Sequence, residues 1–159
     1  MDRGIKKNKI EMHKEQLETY ERHADDLASR KMHADRMFEF MKNQVRSTSE
    51  RMAIETAQEN SENNFQDCFR EQVEEPTRDI KNELYKDVEE MENEQQNLEN
   101  AARAAVGHGP NDGEVQKLRE DLNRGKEEWS ALTMDTRAII GSNEQKVANT
   151  FNSILSRYK

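Results

Sequence analysis

Apolar residues recur along this chain in alternating steps of three and four. The first series reads Ile10, His13, Leu17, Tyr20, Ala24, Leu27, Lys31, Ala34, Phe38, Met41, Val45, Thr48 and Met52. That alternation is the seam of a helix packed along its length. Met32, Met37 and Phe40 widen the stripe near its middle, which suits a bundle better than a two-stranded coil. A second series runs Ile54, Gln58, Ser61 or Glu62, Phe65, Phe69, Val73, Thr77, Ile80, Leu84, Val88, Met91, Gln95, Leu98, Ala102 and Ala105. A third runs Val115, Leu118, Leu122, Gly125, Trp129, Leu132, Thr136, Ile139, Asn143, Val147, Phe151, Ile154 and Tyr158. The spacing predicts helices over about 5–46, 49–106 and 112–158.

Three local signals punctuate the pattern. Ser47 and Glu50 have capping-box spacing, which marks a turn and restart, although the seam stays in phase to Met52. Gly107-His108-Gly109-Pro110-Asn111-Asp112-Gly113 is the strongest Gly/Pro cluster and predicts a break between the second and third helices. Pro76 lies inside the second pattern with the seam in register on both sides, which predicts a kink rather than an end. Gly125 and Gly141 each weaken the third helix by up to ~1 kcal/mol relative to Ala. Folding at the Gly/Pro cluster places Leu98 near Leu118 or Leu122, and Val88 near Leu132. The expected fold is all-α: one domain over 1–159, a long kinked three-helix antiparallel coiled coil. Its core is thin, and a second copy would thicken it into a six-helix bundle.

Composition fits this picture. Charged residues make up 36% and hydrophobic ones 32% of the 159 residues, a balance typical of long helices sharing a narrow seam. Net charge is −8, and it is uneven. Residues 1–51 carry 12 Lys and Arg against 10 Asp and Glu; residues 52–106 carry 5 against 15; residues 107–159 carry 8 against 8. An acidic middle helix argues against nucleic acid, whose phosphates need a basic face. The single cysteine, Cys68, points to a reducing, cytoplasmic home, and no secretory or membrane-spanning run is expected. Peripheral membrane attachment stays compatible with that.

Candidate chemistry is sparse. His13, His23 and His33 lie ten apart on different helix faces, and no Glu-x-x-His pair exists, so no metal site is expected. Cys68 has no histidine within a helical turn to activate it. Gly107-His108-Gly109 lacks the strand and lysine of a phosphate loop. No enzyme and no cofactor are expected. Lys6, Lys7, Lys9 and Lys14, with Met1, Ile5, Ile10 and Met12, have the makings of an amphipathic foot on an anionic membrane; the plainer reading is a soluble helix start. Phe38, Phe40, Phe65, Phe69 and Phe151 gather in the half of the bundle away from the Gly/Pro break. With Met41, Val147 and Ile154 they form the expected interface of a homodimer.

The stretch from Ile54 to Phe69, Ile54-Glu55-Thr56-Ala57-Gln58-Glu59-Asn60-Ser61-Glu62-Asn63-Asn64-Phe65-Gln66-Asp67-Cys68-Phe69, resembles the start of the second helix of the BAR domain family of the amphiphysin, endophilin and arfaptin type. Pro76 sits where some members carry a proline. Gly109-Pro110-Asn111-Asp112 is similar to the loop at the family's distal tip. Leu118 to Trp129 and Val147 to Ile154 resemble parts of its third helix. The resemblance covers about Leu17 to Lys159. It implies a dimeric, non-catalytic scaffold that binds, senses or shapes curved anionic membranes, with Arg103, Lys117, Arg119, Arg124 and Lys126 as contacts towards the tip. The chain departs from the family over Asn100 to Val106, where one charge stands in place of a basic run. That departure and the acidic middle helix favour the alternative, a cytoskeletal or adaptor bundle that binds protein alone.

Overall fold

The computed structural model describes residues 3–106 and 113–155. The expected Gly/Pro break over 107–112 and the seam position Tyr158 lie outside the described residues. Every described residue is helical except Val45, Arg46 and Ser47, and the fold class is all-α. The elements are α1 (Arg3–Gln44), α2 (Thr48–Phe69), α3 (Glu75–Val106) and α4 (Gly113–Leu155). A π-helical turn, Arg70–Glu74, joins α2 to α3 without a break in the helix.

Local chemistry explains the boundaries. Ser47 caps α2: its backbone is extended and its hydroxyl accepts from the Glu50 N–H at 3.1 Å. That satisfies one of the donors a helix start leaves free. The π turn answers two demands together. Phe65, Phe69, Val73 and Thr77 are four residues apart, and all are buried. Each four-residue step overshoots a regular turn by roughly 40°, so the set would wind off the core face. One extra residue in the turn brings them back onto it. The same wide turn eases Pro76, whose ring would otherwise press on the carbonyl four residues back. The Thr77 hydroxyl donates to the Val73 carbonyl at 2.7 Å and to that of Glu74 at 3.1 Å, so its oxygen sits buried without an unmet bond.

The chain divides into two compact units. One comprises Met1–Lys14 and Lys81–Gly141. In it, α3 runs antiparallel to α4, as the pairs Lys126–Glu99 and Arg137–Glu92 show. Leu98 meets Gly125, whose missing Cβ would lie 3.3 Å from Leu98 Cδ1. The antiparallel hairpin is as expected, but its register is shifted: Leu98 faces Gly125, three residues beyond Leu122, and Glu92 reaches Arg137, further still from the expected alignment, so the expected pairing of Val88 with Leu132 is displaced along α4. The core of this unit holds Ile10, Leu84, Val88, Met91, Ala102, Ala105, Trp129 and Ile140. Thr133 and Thr136 also lie inside it, each donating its hydroxyl to the carbonyl one turn back at 2.8 Å.

The other unit comprises Glu15–Ile80 and Ser142–Lys159. Here α1 and α2 are antiparallel, fixed by the pairs His23–Gln72 and Lys31–Glu62. The end of α4 lies parallel to α1, with Asn143 on Glu21 and Thr150 on Asp25. Its core joins Ala24, Leu27, Ala28, Phe65, Phe69, Val73, Val147 and Ile154, with Met32 and Phe151 packed alongside.

Candidate functional site

The basic positions near the N-terminus have different fates. Lys6 is only 7% exposed. Its Nζ donates to Asp87 Oδ1 at 2.9 Å and also pairs with Glu90. Burial alone would pull the Lys6 pKa down; hydrogen bonds to Glu90 and Asp87, and the charges of both, outweigh it and hold the pKa above the usual 10.5. Lys9 reaches the same Asp87 oxygen at 3.4 Å. Lys7 is exposed and Lys14 half-buried. Lys7 lines an open groove with Arg3, Glu128 and Asp135, and Arg3 closes on Glu128 there.

Near the start of α4, most positive charges also face acids. Arg103 pairs with Glu99 at 2.8 Å, and Lys126 reaches the other oxygen of Glu99 at 3.5 Å. Arg124 stands 3.8 Å from Asp121. Lys117 is exposed and Arg119 half-buried, and neither has an ion pair among the described residues. Exposed pairs of this kind are worth ~0–1 kcal/mol and exchange partners readily. The Lys6 cluster is of another order, because opening it would strand a buried carboxylate.

The residues expected to meet a second copy separate into two groups. Phe65, Phe69, Val147 and Ile154 are buried in the core of their own chain. Phe151 stacks on Phe65 at 6.1 Å and tilts against Phe69 at 5.0 Å, in that same cluster. These side chains have little surface left for a partner. Phe40 and Met41 are exposed, and Phe38 is half-buried.

Two buried charges escaped the residue pattern as functional signals. Lys31, at a seam position, is buried with Asp35 at 2.5 Å and Glu62 at 2.8 Å. Asp87 is 1% exposed although it stands one place from the seam residue Val88. A charge on or beside a seam is the signal that was available, and its partner is set by tertiary register. Pro76 stands half-buried as the second residue of α3. Among the described residues, no group of three His, Cys, Asp or Glu side chains converges in a way that could hold a metal ion. No described helix is long and apolar enough to cross a membrane. Cys68 is half-buried.

Comparison of the chain with family models, with curated proteins and with solved structures gives no match in any of the three.

Proposed function

We propose that this chain is a non-catalytic, BAR-like scaffold that works as a homodimer and attaches peripherally to anionic membrane surfaces from the cytoplasm. The observation that carries the reading is the locking of long helices in one register by buried charges. Helix α1 has 42 residues and α4 has 43. In one unit Lys6 holds Asp87; in the other Lys31 holds Glu62. Buried ion pairs seldom add net stability, yet they penalise every shifted alignment heavily. Within each unit, a scaffold has use for helices held in one alignment. The thin three-helix core of each unit favours a second copy alongside.

Membrane attachment is tested by co-sedimentation of the full chain with vesicles of phosphatidylcholine alone and of phosphatidylcholine with phosphatidylserine. Binding to the second at low salt, and not to the first, is the expected outcome. A second reading, a bundle that binds protein alone, is favoured by one observation: Arg103, Lys126 and Arg124 already face acidic neighbours. Failure of the chain to bind phosphatidylserine vesicles at low salt decides for that reading.

A further inference from the structure

We infer that the turn between α1 and α2 is the membrane-contact surface, through an apolar patch set among unpaired arginines; this rests on the membrane reading above. In the unit built from Glu15–Ile80 and Ser142–Lys159, the large apolar side chains exposed among the described residues are Met37 (53%), Phe40 (64%), Met41 (43%) and Met52 (61%). All four flank the turn at 45–47. Met37, Phe40 and Met41 stand at i, i+3 and i+4, so they share one side of α1. The adjoining side, about 100° round the helix, carries Ala34, Phe38 and Lys42, which are half-buried. The end of α1 thus carries one broad apolar stripe, half-buried along Ala34 and Phe38 and open to solvent along Met37, Phe40 and Met41. An apolar stripe wider than the surface that its own chain covers marks a contact site.

Charge identifies the cover. Residues 30–51 hold six Lys and Arg against three Asp and Glu, in a chain of net charge −8. Two of those acids are already engaged: Asp35 with Lys31, and Glu39 with Lys42 at 2.8 Å. Arg51 stands 3.6 Å from Glu55. Arg30, Arg36 and Arg46 form no ion pair among the described residues. Turn-on-turn packing of a second copy would set these arginines against themselves. An anionic bilayer complements them and admits Met and Phe side chains at the headgroup boundary. The N-terminal lysines Lys6 and Lys9 compare poorly, being held by Asp87 and Glu90.

The test uses the full chain and the two vesicle types above. Each basic residue held at an anionic surface strengthens binding about fivefold, so Arg36→Glu with Arg46→Glu should weaken it at least ~25-fold. Met37→Ser with Phe40→Ser should weaken it about tenfold or more, since the apolar contact scales with buried area. Lys117→Glu with Arg119→Glu, on α4, should cost less than ~5-fold. All six positions lie at the surface or half-buried, and circular dichroism checks that the helices stay intact. If both turn variants bind as the unmodified chain does, the turn is not the contact surface while the membrane reading stands. If the unmodified chain does not bind at low salt, both fall. If Met37→Ser with Phe40→Ser abolishes self-association in light scattering and leaves vesicle binding unchanged, the patch belongs to a second copy and the inference is overturned.

Discussion

Lys6 and Asp87 place a full charge pair inside the bundle, and that position has two consequences. Removing one partner leaves the other buried; Asp87→Ala should therefore cost about 3 kcal/mol of unfolding free energy, measured in urea. Replacing both, Lys6→Met with Asp87→Leu, should recover most of that loss, because the shape is kept and no charge is stranded. The raised pKa of Lys6 sets a pH signature. The stabilisation is complete below the unfolded-state value near 10.5 and fades as pH rises through the higher folded value. Urea midpoints should thus hold from neutral pH to that value and decline above it, and the double variant should lose part of this decline. Glycine supplies a second test at this scale. A Cβ at Gly141 meets nothing within 4 Å, and the site is exposed in mid-helix. Gly141→Ala should stabilise by ~0.5–1 kcal/mol. Gly125→Ala should gain less, since its Cβ would crowd Leu98 at 3.3 Å.

Among the elements, the run from Thr48 to Val106 is the most informative. A proline in mid-pattern signals a kink, and we propose that Pro76 bends this run. The π turn over Arg70–Glu74 shows how the helix accepts the residue. The wide turn has a second cause in the even spacing of Phe65, Phe69, Val73 and Thr77, so it does not depend on proline alone. Pro76→Ala should keep all four buried and retain the turn, while restoring a backbone donor worth about 1 kcal/mol. Urea unfolding measures the gain, and a crystal structure of the variant shows whether the turn survives. Loss of the π turn together with exposure of Thr77 would refute this account.

For the whole molecule, association and salt dependence are the measurable properties. Light scattering should give twice the 18.7 kDa chain mass at micromolar concentration, and a monomer mass would remove the dimer from the proposal. Vesicle binding should fall steeply with salt. Screening shortens the reach of exposed charges from ~30 Å at 0.01 M to ~3 Å at 1 M. Binding that persists undiminished at 1 M would point to apolar insertion as the dominant contact and away from the arginines.

Periodicity alone determined most of the architecture. The buried positions Ile10, Leu17, Ala24, Leu27, Phe69, Leu84, Met91, Trp129, Val147 and Ile154 all stand on the three seams, because a helix can bury only one stripe. The restart at Ser47 was legible for a similarly local reason: a hydroxyl three residues before a free N–H caps whatever follows. The seam misled at Met41 and Met52, which keep its phase yet lie exposed. A pattern says which side of a helix is apolar, not whether anything lies against it. Charge was ambiguous in the same way. Lys6 and Lys7 are neighbours in a basic cluster, but a rotation of about 100° sends one into the core and the other to solvent. Partner choice across helices depends on register, and register is a property of the folded bundle. Tertiary structure therefore decided which basic residues remain unpaired among the described ones, because an ion pair across helices forms only where the packed register sets the two charges opposite each other.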